Sequence, residues 1–179
     1  MPDERPVDHD DQADEVDLIV SAWEHERPDL DFEPLHVLSR VARLSKHLDR
    51  ARRAAFTASA LESWEFDVLS ALRRAGTPYR LSPKALLQQT LVSSGTMTNR
   101  IDRLVERGLV RRGTDPHDGR GILVTMTQAG CDQVDAAIER LVAAEAALLA
   151  DLEADEQHRL SVLLRKLSVS VTRANVRST

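Results

Sequence analysis

The sequence predicts a mainly α-helical fold carrying one small β-hairpin, with the hairpin set mid-chain between amphipathic helices. Three observations predict it. Residues 82–108 hold two short helical patterns, each opened by serine and separated by a turn at Leu91 to Ser94. Two short strand-like runs, Val110 to Thr114 and Ile122 to Thr127, flank the turn-rich Asp115-Pro-His-Asp-Gly-Arg-Gly121. Stripes of apolar residues at helical spacing lie on both sides of this unit. Together they give an α+β class of small β-content: a winged helix-turn-helix flanked by N- and C-terminal helices.

The chain starts with an acidic segment, residues 1–13, which reads as a solvated, disordered arm. From Asp14 to His25, Val16, Leu18, Ile19, Ala22 and Trp23 predict a helix that ends before Pro28. A longer helix is expected from Pro34 to about Thr57, striped by Leu35, Leu38, Val41, Ala42, Leu44 and Leu48. Trp64 to Ala75 is a third, ended by Gly76.

Ser82 is a natural N-cap, and Pro83 suits the first helical position, where its missing N–H costs nothing. Ser93 or Ser94 caps the second helix of the pair, and Gly108 closes it in the left-handed conformation. Thr127 caps a long helix to about Ala150, and after a bend at Asp151 to Glu156 a last helix runs from Gln157 to about Asn175. Four segments result: the tail at 1–13, N-terminal helices at 14–62, the winged unit at 63–127 and C-terminal helices at 128–179. The outer helices can bury their stripes against a second copy of the chain; a monomeric bundle that buries them internally is the alternative.

The chain has 179 residues, 42% of them apolar and 30% charged, a soluble globular composition. No window holds the 18 or more apolar residues of a membrane span, and the acidic start lacks signal-peptide character, so a cytoplasmic protein is expected. Cys131 is the only cysteine, which excludes an intramolecular disulfide. The net charge of −5 is concentrated at the start: without residues 1–15, 23 basic and 22 acidic residues remain. Residues 100–120 hold six arginines against four acids, a local basic footprint suited to nucleic acid.

On the second helix of the pair, Met97, Ile101, Leu104 and Val105 fall on one side. At 100° per residue, Thr96, Asn99 and Arg103 project from the other. Small and amide side chains can approach base edges in a major groove, and arginine can take a guanine edge with two bonds. Ser93, Ser94, Gly95 and Thr98 lie at the helix start, where free N–H groups favour phosphate. Arg120, at the tip of the wing, has the reach for a minor groove or a phosphate.

The chain resembles the MarR family of transcription regulators. The resemblance is carried by Trp64-Glu-Phe-Asp-Val-Leu-Ser-Ala-Leu, by Gly95-Thr-Met-Thr-Asn-Arg-Ile-Asp-Arg-Leu-Val-Glu-Arg-Gly-Leu-Val-Arg-Arg, by Asp115-Pro-His-Asp-Gly-Arg and by Leu123-Val-Thr-Met-Thr-Gln-Ala-Gly130. One departure is Gly121, where the family's wing usually places serine after Asp-x-Arg. The resemblance implies a homodimer on a palindromic operator in double-stranded DNA, usually repressing a neighbouring gene and released by a small ligand. It favours the dimer over the monomeric bundle.

A narrower likeness is to the urate-responsive branch, which has an additional N-terminal helix carrying tryptophan. Its pocket residues match Trp23, Asp67, Arg100 and Arg112. The chemistry agrees, because arginine supplies charge and planar donors to a flat anion and an aromatic ring supplies stacking. Arg100 lies about 60° from Met97 and can turn inward. Asp67, on an apolar helix, is expected to need a charged partner if buried. The implied effector is a small anion: urate, another purine, or a polycarboxylate, with phenolic compounds as an alternative. A permanent Asp67–Arg100 ion pair, with Arg112 on a phosphate, is the purely structural alternative.

Other classes find less support. Cys131 has Asp132 beside it, which opposes thiolate formation in a redox sensor. The six histidines are scattered, so no metal site is expected. There is no phosphate loop, dinucleotide fingerprint or nucleophile elbow, and neither an enzyme nor a cofactor is expected. A helical protein-interaction module without specific DNA binding is the alternative of a different class.

Overall fold

Each helix start that the sequence marks with a capping residue is occupied in the computed structural model, which describes residues 13–90, 92–114 and 121–177, side chains of 174–177 excepted. Asp14, grouped by charge with the acidic N-terminus, caps α1 (Glu15–Glu26): its Oδ1 accepts from the Val16 and Asp17 amides at 2.7 and 3.1 Å. Asp17 returns the bond to the Asp14 amide at 2.9 Å. Helix α2 (Glu33–Thr57) follows, and its Arg40 pairs with both Asp14 and Asp17 at 2.9 and 2.8 Å. Residues 1–12, most of the expected acidic arm, lie outside the described residues.

Helix α3 (Ser63–Arg74) leads to strand β1 (Arg80–Leu81), then α4 (Pro83–Thr90) and α5 (Ser94–Glu106). Ser82 Oγ accepts from the Ala85 amide at 3.2 Å. Ser93, rather than Ser94, caps α5, accepting from the Thr96 amide at 3.3 Å. Gly108 turns the chain out of α5 with φ +69°. Strands β2 (Val110–Thr114) and β3 (Ile122–Met126) pair antiparallel from Val110↔Met126 to Thr114↔Ile122. Helices α6 (Gln128–Leu148) and α7 (Ala154–Arg177) complete the chain, α7 starting three residues before the expected Gln157.

Strand β1 is an element the sequence does not announce. It pairs antiparallel with β3, Arg80 opposite Thr125 and Leu81 opposite Val124, and makes the sheet three-stranded in the order β1-β3-β2. Asp115–Arg120 lie outside the described residues, so the placement of Arg120 is not among them.

The chain divides into two units, Met1–Arg50 and Ala51–Thr179. The second unit holds the main core. Val68, Leu69, Ala71 and Leu72 of α3, Leu86 of α4, and Met97, Ile101 and Leu104 of α5 are buried with Val124 and the α6 residues Val134 and Ala137. Burying each large side chain contributes roughly 1.5–3 kcal/mol. This core orients α5 so that its polar face points outward. Among the described residues, no helix is long and apolar enough to cross a membrane.

Candidate functional site

The first turns of α5 present an exposed polar surface. Ser93, Ser94, Gly95, Thr96, Thr98 and Asn99 are all exposed, while Met97 between them is buried. Ser93 Oγ lies 2.9 Å from Thr96 Oγ1, and Thr98 Oγ1 donates to the Ser94 carbonyl at 3.2 Å. These short bonds fix hydroxyls around a helix N-terminus, whose unpaired amides and positive dipole end attract phosphate. A Cβ built on Gly95 would meet no atom within 4 Å, so this edge is open.

Arg103 also sits on this helix, but its guanidinium is engaged. Its Nη2 donates to Glu62 Oε1 at 2.9 Å, and its Cζ lies 4.7 Å from the Trp64 ring centroid. Glu62 accepts at its other oxygen from the Trp64 indole N–H at 2.6 Å. That indole bond, with Arg103 beside it, holds the Glu62 carboxyl below its usual range. Sequence reading places Arg103 on the outward face and does not find these partners.

Beside Trp64 is a pocket of about 510 Å³ lined by Arg53, Thr57, Glu62, Ser63, Trp64, Asp67 and Arg100. The volume is within the range of small-molecule sites. Arg100 leans over Trp64 at 5.6 Å from the ring, so one indole carries two arginines of α5. Asp67 and Arg100 therefore share one cavity, without an ion pair within 4 Å between the two.

The expectation of a buried, paired Asp67 needs correction. Glu65, Leu69 and Leu72 form the buried stripe of α3, and Asp67 lies off it at an exposed position. Even so, partial desolvation raises its carboxyl above the ordinary 3.8, against the pull of Arg100, Arg52 and Arg74. The folded state thus holds this proton more firmly than the unfolded chain. Stability contributed by Asp67 falls as pH rises from 3.8 through the folded value and stays lost above it. Asp67→Asn should melt no lower than the parent at pH 7, with the difference closing as the pH approaches 3.8. Thermal melts across that span check it, and a variant less stable at pH 7 would give the carboxylate a structural role.

Arg112 is not brought to this pocket. It pairs with Asp102 at 2.7 Å, reaches the Thr98 carbonyl at 3.5 Å, and lines a separate groove of about 200 Å³ with Arg80 and Arg111. Trp23 belongs to the first unit, where it stacks on Phe32 with ring centroids 6.2 Å apart. Cys131 is buried, and burial pushes its thiol up, away from the thiolate a redox sensor needs. Among the described residues no group of three metal-ligating side chains exists.

Two residues missed by sequence reasoning stand out. Glu62 has a weak signal, the Glu62-x-x-Glu65 spacing at a helix start. Trp64 is visible as part of an apolar stripe, but its pairing with arginines 36 and 39 residues later is not local information.

A model of the MarR family matches residues 61–121, from the end of the α2–α3 link to the wing. The HTH-type transcriptional regulator PecS of Dickeya dadantii is 35% identical over 153 residues, 86% of this chain and 92% of PecS. A crystal structure of a MarR mutant from E. coli complexed with operator DNA has a TM-score of 0.63 at 28% identity, covering 76% of this chain and 96% of that one. BpsR of Bordetella bronchiseptica, whose structure concerns regulation of DNA binding by 6-hydroxynicotinic acid, has a TM-score of 0.56 at 28% identity, covering 72% and 98%.

Proposed function

The chain belongs to the MarR family of transcriptional regulators, and on that premise we propose that it is a sequence-specific, ligand-responsive DNA-binding repressor. It acts as a homodimer on a palindromic operator and is released by a small anionic effector such as urate or another purine. The observation that carries this reading is the double use of α5. Asn99 lies on its exposed polar face, while the next residue, Arg100, lines the pocket with Asp67 and Trp64.

The contacts divide by chemistry. Ser93, Ser94, Gly95 and Thr98 position the helix on phosphates, and Thr96, Asn99 and Arg103 read base edges. Arg120, in the wing, rests on the family resemblance. A flat anion in the pocket stacks on Trp64, draws on Arg100 and meets the like charge of Asp67. Because Arg100 is rooted in α5, the ligand and the operator bias one helix, and release follows if the ligand prefers the arrangement that DNA does not. Arg112, engaged with Asp102 on α5, would act on the helix rather than on the effector unless that pair opens. For Trp23 the resemblance is the only support.

The dimer is supported by unpartnered apolar surface. Helix α7 buries no described side chain, and Leu160, Leu163, Leu164 and Val171 are exposed along it, as are Ile138 and Val142 on α6. Such faces are a feature of surfaces that meet another chain. A planar carboxylate is the second reading for the effector, favoured by the regulation of DNA binding in BpsR by 6-hydroxynicotinic acid. Small polycarboxylates and phenolic compounds fit the same arginine less fully, since they offer less ring to Trp64.

The DNA reading is tested by mobility shifts on the chain's own upstream region against random duplex. Asn99→Ala and Arg103→Ala should each weaken operator binding by about 1–3 kcal/mol and reduce discrimination. If both leave discrimination intact, the base-reading assignment of these two residues is wrong.

A further inference from the structure

We propose that Glu62 and Trp64 form a clamp that competes with DNA for Arg103, so that operator binding draws this arginine off two residues of the pocket wall. The inference rests on Arg103 being a base reader and adds two positioning residues that do not themselves touch DNA. Three contacts carry it. Glu62 Oε1 accepts from Arg103 at 2.9 Å, Glu62 Oε2 accepts from the Trp64 indole at 2.6 Å, and the indole face lies 4.7 Å under the Arg103 guanidinium.

Each contact constrains the next. The indole N–H fixes the Glu62 carboxylate, and the fixed carboxylate aims Arg103 along the ring instead of outward. With Nη2 shared with a carboxylate and the guanidinium laid on the indole, one of the two donor forks of Arg103 is taken, so the clamped state competes with a two-bond contact to a guanine edge. Both clamp residues also line the pocket that holds Arg100 and Asp67. An occupant resting on Trp64 therefore acts on the reading helix through Arg103 as well as through Arg100. The clamp is cheap to open: Glu62 and Arg103 side chains are 58% and 51% exposed, and ion pairs of that kind are worth little. It tunes the affinity rather than blocking it.

A double-mutant cycle on the full chain and its upstream operator tests this. Glu62→Gln keeps the size and the hydrogen-bonding capacity at the helix start but removes the charge. It should tighten operator binding by about two- to fivefold, and the gain should vanish in the Arg103→Ala background. Equal tightening in both backgrounds would mean a general loss of negative charge near DNA and would overturn the clamp. Weaker binding by Glu62→Gln would overturn it too, as a purely structural role predicts. If Arg103→Ala alone leaves operator affinity unchanged, the base-reading role of Arg103 fails first and the clamp with it, a result distinguishable from the other two.

Discussion

Arg107→Met should destabilise the second unit by about 3 kcal/mol, measured by denaturant unfolding, making it the costliest single change at the surface of α5. The reason is Glu65, which is only 1% exposed within the core face of α3. Its Oε2 accepts from the Glu62 amide at 2.9 Å and from Arg107, while Oε1 has no partner. Arg107 also donates to the Ala60 carbonyl at 2.7 Å, fastening a residue held at φ +55°. Without Arg107 the carboxylate stays buried with one backbone donor. The effect is placed at the low end for breaking a buried pair because Arg107 itself is 37% exposed. Glu65→Leu combined with Arg107→Met should recover most of the loss, since an apolar pair leaves no orphaned charge. A single variant as stable as the parent would show that Glu65 finds other solvation.

Gly130→Ala should cost a similar amount, about 3 kcal/mol, by overpacking. A Cβ at position 130 would fall on the Leu109 carbonyl oxygen and lie 2.8 Å from Met126 Cγ. The first of these is backbone and cannot swing away. The approach is close because Thr127 draws α6 onto the strand ends: its hydroxyl donates within reach of the Gly108 and Leu109 carbonyls and accepts from the Gly130 amide at 3.1 Å. A methyl there forces the α6 start away from β2 and β3, which carry the wing. Thermal or denaturant melts give the readout, and an unchanged midpoint would mean that α6 shifts freely against the sheet.

Much of this fold is legible from local chemistry. Ser82, Ser93 and Thr127 cap the helices expected of them, and Gly108 takes the left-handed turn, because these are decisions made within four residues. The strands Val110–Thr114 and Ile122–Met126 follow from their flanking turn residues. Strand β1 is not legible: two residues have no period, and Arg80–Leu81 become a strand only by pairing with β3 some 43 residues later.

The site is legible in residue type and less so in geometry. Asp67 and Arg100 meet in one cavity, as a carboxylate and an arginine on packed helices can. Arg112 goes elsewhere, pairing with Asp102 on α5 at 2.7 Å. Arg103 shows the limit most clearly. Helical periodicity places it outward, but the partner that holds it, Glu62, is 41 residues away and is met only through the packing of α3 on α5. Long side chains choose partners by tertiary proximity, which periodicity does not encode.

On the proposed function, one helix, α5, answers to both DNA and a small anion. The most direct test is a mobility shift on the upstream intergenic DNA, titrated with urate, xanthine, hypoxanthine, citrate and aconitate, using the parent, Asp67→Asn and Arg100→Ala. One of the purines should dissolve the specific complex of the parent and leave those of the two variants intact. Tight binding that none of the compounds relieves, or equal release from all three proteins, would contradict it.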